Sequence, residues 1–127
     1  MLHEPNSEAI RKELEPGHAV HAERRTGKTT ALLAEIHTQL RGRAIIIAHH
    51  QESAERISYI YREAFPQDEI PLVAGPVRAM VTLLGTNLPV YVDEWWLLPE
   101  KAQKELKDSG RIKGAVGTVP HLAKIRL

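Results

Sequence analysis

The stretch Ala22-Glu23-Arg24-Arg25-Thr26-Gly27-Lys28-Thr29-Thr30 limits the possible folds of this chain more than any other. It fits the phosphate-binding loop pattern G-x-x-x-x-G-K-[ST], with alanine in place of the first glycine. Such a loop turns its backbone N–H groups, and those of the helix that follows, toward phosphate oxygens. Gly27 supplies the conformational freedom of the turn. Lys28 brings a cation to the terminal phosphates, and the Thr29 hydroxyl is placed to ligate Mg²⁺. The loop needs a strand before it and a helix after it. His18-Ala19-Val20-His21 reads as that strand, introduced by Pro16-Gly17. Leu32, Leu33, Ile36 and Leu40 recur at helical spacing until Arg41-Gly42 closes the helix.

A second feature completes the pattern. Leu88-Pro89-Val90-Tyr91-Val92 is an apolar strand that runs into Asp93-Glu94. In a nucleotide site, the first acid holds Mg²⁺ and the second polarises the attacking water. Asp93 is thus the candidate metal residue beside Thr29, and Glu94 the candidate general base.

The rest of the chain supports a single α/β domain. Its 127 residues are enough for one core, and 43% hydrophobic with 26% charged residues is ordinary globular composition. Residues 1–17 read as a leading segment with a helix over 6–15, residues 18–120 as the core, and residues 121–127 as a tail able to add an edge strand. Arg43-Ala44-Ile45-Ile46-Ile47-Ala48 is a continuous apolar run suited to a parallel strand buried on both faces. Ala54, Ile57, Ile60, Tyr61 and Ala64 draw a second helix, stopped at Phe65-Pro66. Ile70 to Ala74 reads as an edge strand because of Pro71. Pro76 opens a helix whose buried side is Val77, Met80, Val81 and Leu84, and Gly85 ends it. Pro99 opens another through Lys107, and Ile112 to Val119 is a last strand interrupted by Gly114 and Gly117. Trp95-Trp96 could stack on a base, although packing in a core or interface is the commoner use of such a pair.

Composition excludes some functions. A net charge of +1 gives no global field for nucleic acid, so any basic surface must be local. The absence of cysteine removes disulfides and Cys-based zinc sites and fits a reducing compartment. No apolar run reaches membrane-spanning length, and the N-terminus lacks a signal-peptide pattern. The expected location is the cytoplasm, the host's if the chain is viral. Seven histidines stand at irregular spacing. His49 and His50 follow the strongest strand, where alternation would point them to opposite faces and argue against a shared metal.

This order of elements resembles the first motor domain of superfamily 1 and 2 helicases, and still more the ATPase domain of phage large terminases. In that resemblance Ala22–Thr30 is the Walker A loop and Val92-Asp93-Glu94 is Walker B. Ala48-His49-His50-Gln51-Glu52-Ser53-Ala54 stands in the place of motif Ia, and Gly75-Pro76-Val77-Arg78 is similar to motif Ib. Val116-Gly117-Thr118-Val119-Pro120 resembles the coupling motif III. The resemblance spans about Ala19 to Pro120. It implies a P-loop NTPase fold of the RecA-like, ASCE type: a three-layer sandwich around a mostly parallel sheet, with the final strand between the loop strand and the acid strand. It further implies ATP and Mg²⁺ as ligands and slow ATP hydrolysis in isolation. Implied site residues are Lys28 and Glu94 in catalysis, Gly117 and Thr118 in coupling, and His49, His50, Gln51 and Arg78 toward double-stranded DNA. Terminases often carry an arginine inside Walker A as a finger in cis, and Arg24 stands at that place. A homo-oligomer or a larger packaging motor would be the partner. The sequence departs from the family in lacking a second motor domain, a nuclease domain and a base-reading motif. Two other readings stand beside this one: a non-catalytic nucleotide-binding module, and a type II thymidine kinase, whose zinc-binding cysteines are missing here.

Overall fold

The computed structural model describes residues 7–22, 27–76, 85–118 and 123–127. The strands are β1 (His18–Ala22), β2 (Ile45–Ile47), β3 (Leu72–Ala74), β4 (Val90–Val92), β5 (Ile112–Thr118) and β6 (Ala123–Arg126). The helices are α1 (Ser7–Glu13), α2 (Lys28–Leu40), α3 (Gln51–Ala64) and α4 (Glu100–Ser109), with a 3-10 turn over Trp95–Leu97. The helix expected after Pro76 falls on residues 77–84, outside the described residues.

The six strands form one sheet in the order β3-β2-β4-β5-β1-β6. Five are parallel, and only β6 runs antiparallel, pairing with β1 as the edge strand that the tail was able to form. β5 lies between β1 and β4, the order expected for the final strand. β3 sits at the other edge, where a strand following proline is tolerated. Gly114 and Gly117 do not interrupt β5. It continues through both, and its one irregularity is a register shift that leaves Lys113 between the pairs Val90–Ile112 and Tyr91–Gly114.

Strand alternation divides the core in two. Val20, Ile46, Tyr91 and Val116 face Ile10 of α1, Leu32, Leu33 and Ile36 of α2, and Ile57 and Tyr61 of α3. Ala19, Ile45, Ile47, Val90, Val92 and Ala115 face Trp95, Leu98, and Ala102 and Leu106 of α4. Helical elements therefore cover both faces of a sheet whose interior strand Ile45-Ile46-Ile47 is fully buried. The architecture is α/β and compatible with a three-layer sandwich. The same alternation that turns Tyr91 toward α2 turns Asp93 that way too.

α2 ends where Arg41 and Gly42 both take the left-handed conformation, at φ 51 and φ 92. At Gly42 the backbone of Glu69 comes so close that a Cβ would lie 1.7 Å from the Glu69 carbonyl oxygen. This packing brings the loop after α3 against the end of α2. There the buried Asp68 carboxylate accepts from the Tyr61 hydroxyl and, at 2.7 Å, pairs with His37 Nδ1. Phe65 stacks on the His37 ring, with centroids 4.0 Å apart.

Burial alone would raise the Asp68 pKa. The hydrogen bonds from Tyr61 and His37, with the charges of His37 and Arg41, outweigh it and hold the carboxyl below its ordinary value. A depressed carboxyl contributes stability that is present above its unfolded pKa, about 3.9, and lost as pH falls through the folded value. Asp68→Ala leaves the buried Tyr61 hydroxyl without its acceptor and is expected to cost about 1–3 kcal/mol at neutral pH. Urea melts of the two chains should converge as the pH is lowered below about 4. A difference that stays constant from pH 7 to pH 3 would contradict this account.

Candidate functional site at the carboxyl edge

The parallel strands bring Ala22, Ile47, Val92 and Thr118 to one edge of the sheet. Ligands of open α/β sheets gather at such an edge. Gly27, left-handed at φ 91, precedes α2, whose first turn has no side-chain cap. The first N–H groups of the helix thus have no side-chain acceptor at the cap position. Lys28 is buried although it carries a charge, and Thr30 is buried beside it. From α2 the Thr29 hydroxyl donates to Asp93 Oδ1 at 3.0 Å, across a separation of 64 residues. The backbone N–H of Asp93 donates to the Ile47 carbonyl at 2.9 Å, which fixes the acid to the end of β2.

Asp93 is 5% exposed. Burial is the main reason its pKa is pushed up to about 6, and the nearby Glu94 adds to the rise. The Thr29 hydrogen bond and the charges of Lys28 and Arg56 oppose it. A carboxylate this deeply buried favours whatever cation reaches it. Hydroxyl and carboxylate oxygens are the hard donors that Mg²⁺ prefers, so Thr29 and Asp93 fit that ion chemically. At pH 8, above the raised Asp93 pKa, Asp93→Asn removes a buried charge and is expected to stabilise the ligand-free chain by roughly 1–3 kcal/mol, a gain that should fade as the pH falls below about 6. The same change should abolish any Mg²⁺ dependence of nucleotide affinity. Thermal melts with and without Mg²⁺-nucleotide check both halves, and a destabilised ligand-free variant would refute the first.

Glu94 stands at φ 52, a left-handed conformation that costs a residue with a Cβ about 1–2 kcal/mol. The turn bends the chain into the Trp95–Leu97 segment and sends the Glu94 side chain toward β5 rather than α2. There the Thr118 hydroxyl lies 2.8 and 3.0 Å from the two carboxylate oxygens and shares its single proton with the carboxylate. The two acids therefore serve separate directions. Asp93 meets α2, and Glu94 meets the end of the last parallel strand.

No protein-family model, curated protein or solved structure matches this chain in the comparisons made.

The other expected residues distribute as follows. Ala22 ends β1 and is buried. Glu23, Arg24, Arg25 and Thr26 lie outside the described residues, as does Arg78. Gly117 and Thr118 close β5. His50 is the N-cap of α3, its Nδ1 accepting from the Ser53 backbone N–H at 3.0 Å, so one ring nitrogen is committed to the helix. Gln51 is exposed in the first turn of α3. His49 and His50 do not point to opposite faces. β2 ends at Ile47, strand alternation stops before these residues, and their rings meet edge to face with centroids 4.0 Å apart. Among the described residues, even so, no group of three or more His, Cys, Asp or Glu side chains is arranged to hold a metal. His49 Nδ1 is buried without a hydrogen-bond partner among them. Burial lowers the His49 pKa, His50 lowers it further, and Glu94 opposes the shift.

The two tryptophans part company. Trp95 is fully buried in the core, with the Lys107 ammonium 5.8 Å from its ring centroid, whereas Trp96 is 49% exposed. The Trp96 indole N–H donates to His21 Nδ1 at 3.2 Å. In the sequence His21 stands out only as part of a polar strand. A histidine facing inward on a strand that leads into the loop was the available signal.

Proposed function

We propose that this chain is a P-loop NTPase of the RecA-like, ASCE type that binds ATP with Mg²⁺ and hydrolyses it slowly, acting on or with nucleic acid. The observation that carries the reading is the Thr29–Asp93 hydrogen bond, which joins the two sequence motifs at one sheet edge. The strand order, with β5 between β1 and β4, supports it. In this reading Lys28 and the first turn of α2 hold the terminal phosphates, and Thr29 and Asp93 hold the metal. A metal held by Thr29 and Asp93 would supply charge neutralisation for the phosphates. Glu94 accepts a proton from the attacking water, aimed by the Thr118 hydroxyl. Arg24 is the proposed internal cation for charge that develops on the transferred group.

A non-catalytic nucleotide-binding module is the second reading, and the Thr118–Glu94 contact disfavours it. A chain that only holds nucleotide has no chemical need for an oriented carboxylate beyond the metal-binding one. Phosphate release from ATP, with and without DNA, decides between them. Turnover abolished by chelating Mg²⁺ supports hydrolysis; nucleotide binding without any phosphate release supports the module.

The nucleic-acid side rests on Gln51, His49, His50 and Arg78. With a net charge of only +1, binding of double-stranded DNA should be modest and fall with salt by only a few counterions' worth. A homo-oligomer or larger motor would add avidity by presenting several rims together. Arg78→Ala is expected to weaken binding at low salt and flatten its salt dependence by about one counterion. Fluorescence anisotropy with labelled duplex across a salt series checks this. An unchanged curve would remove Arg78 from the contact surface.

A further inference from the structure

The turn that carries Glu94 is held from two sides. Thr118 of β5 holds its carboxylate, and two residues beyond Glu94 the Trp96 indole is tied to His21 of β1. His21 is fully buried, yet the only hydrogen bond of its ring among the described residues is the one it accepts from Trp96 at Nδ1. Accepting there places the ring proton on Nε2, which is buried without a partner among those residues. A buried imidazole in that condition calls for a reason to be there. An apolar residue would fill the same strand position without leaving a polar atom unmatched.

Gly117 makes the pairing possible. A Cβ at that position would sit 3.0 Å from His21 Cδ2 and 3.2 Å from Trp96 Cδ1. The indole and imidazole meet edge to face over this gap, with centroids 5.3 Å apart and planes at 62°. Three chain segments thus converge: β1 one residue before its end, β5 one residue before Thr118, and the turn after Glu94. A left-handed glutamate persists only when its surroundings over-determine it. Trp95 anchors the turn in the core below, and Trp96 anchors it at the rim.

We propose that His21 and Trp96 are positioning residues that hold the Glu94 turn in register with the strand feeding the phosphate loop. The proposal rests on the ATPase reading of the site. Neither the hydrogen bond nor the ring contact of the pair involves Asp93 or α2, so the pair is assigned to the aim of Glu94 and not to nucleotide affinity. Small misplacements of a reacting group reduce rate steeply while leaving binding intact.

The test combines steady-state ATP hydrolysis, nucleotide calorimetry and ¹H–¹⁵N spectra of the indole N–H groups. The chain has only two tryptophans, so Trp96→Phe assigns both indole signals, and Trp95, whose indole N–H has no hydrogen-bond partner among the described residues, serves as reference. Trp96→Phe keeps a ring over Gly117 and removes the donor; Trp96 is half-exposed, so the core is left intact. His21→Val removes the acceptor, and His21→Asn restores one at nearly the Nδ1 position. Trp96→Phe and His21→Val should each lower kcat by roughly tenfold with nucleotide affinity unchanged. The double variant should lose no more than either alone. His21→Asn should keep the hydrogen-bonded Trp96 signal and recover most of kcat. The proposal is overturned by an unchanged kcat in Trp96→Phe, by additive losses in the double variant, or by an equal loss of nucleotide affinity. It is also overturned if His21→Asn keeps the indole signal but not the rate. A wild-type chain that binds nucleotide but releases no phosphate overturns the ATPase reading and the proposal together. Turnover in wild type that Trp96→Phe matches overturns the proposal alone.

Discussion

Glu94→Gln is expected to leave nucleotide affinity nearly unchanged and to lower the rate of phosphate release by about 10²–10⁴-fold. The amide is the same size as the carboxylate, and its carbonyl oxygen can still accept from the Thr118 hydroxyl that now lies 2.8 Å from Oε1. The left-handed backbone at residue 94 and the packing of Trp95 beneath it are unaffected by the change. What is lost is the ability to take a proton from water. Removing Thr118 instead, as Thr118→Val, keeps the base and loosens its aim, so its effect should be smaller. Phosphate release under single-turnover conditions separates the chemical step from product release. A Glu94→Gln chain as fast as wild type would place the base elsewhere on this edge. His49, whose ring feels the Glu94 charge, would be the next group to replace.

The reach of the sequence differed from residue to residue for physical reasons. The join between Lys28-Thr29 and Asp93 was legible because both motifs fix their own local geometry: a glycine turn into a helix, and an apolar strand ending in an acid. Parallel strand alternation then aims Asp93 at α2 without further information. Glu94 was legible as the second acid at the end of an apolar strand but not in its direction, because its φ of 52 is imposed by the turn into Trp95–Leu97 and not by its own preference. The same holds for His49 and His50. Alternation predicted opposite faces, but β2 is only three residues long and His50 is drawn into capping α3. Edge strand β6 carries Lys124, Ile125 and Arg126, with too few apolar residues to declare itself; its pairing with β1 decides it. Asp68 was invisible for a different reason. Its partners come from positions 37 and 61, and nothing in a loop residue announces a carboxylate that two helices will bury. The His21–Trp96 bond spans 75 residues and needs the absent side chain of Gly117, a coincidence no local pattern encodes.

Lys28→Ala should all but abolish nucleotide binding. Lys28 is only 7% exposed, at the first helical position after Gly27, so its charge is already withdrawn from water. A charge-assisted contact to phosphate at such a position contributes roughly 1.5–3 kcal/mol or more, which is about one to two powers of ten in affinity at least. A second effect adds to the first. The Lys28 charge is one of the influences holding down the Asp93 pKa, against the burial that has pushed it up to about 6. Without the ammonium, Asp93 is protonated more readily, and a protonated acid binds metal poorly. The loss should therefore be larger at pH 6 than at pH 8, where Asp93 ionises in both chains. Lys28→Arg separates the contributions, since it keeps a cation near Asp93 but presents a planar fork where a compact ammonium stood. It should recover the pH dependence of wild type without recovering its full affinity. Calorimetry with ATP and Mg²⁺ at the two pH values provides the measurement, with thermal melts to establish that each variant is folded. Equal affinities for wild type and Lys28→Ala would remove the phosphate loop from the site, and with it the reading of Thr29 and Asp93 as the metal pair.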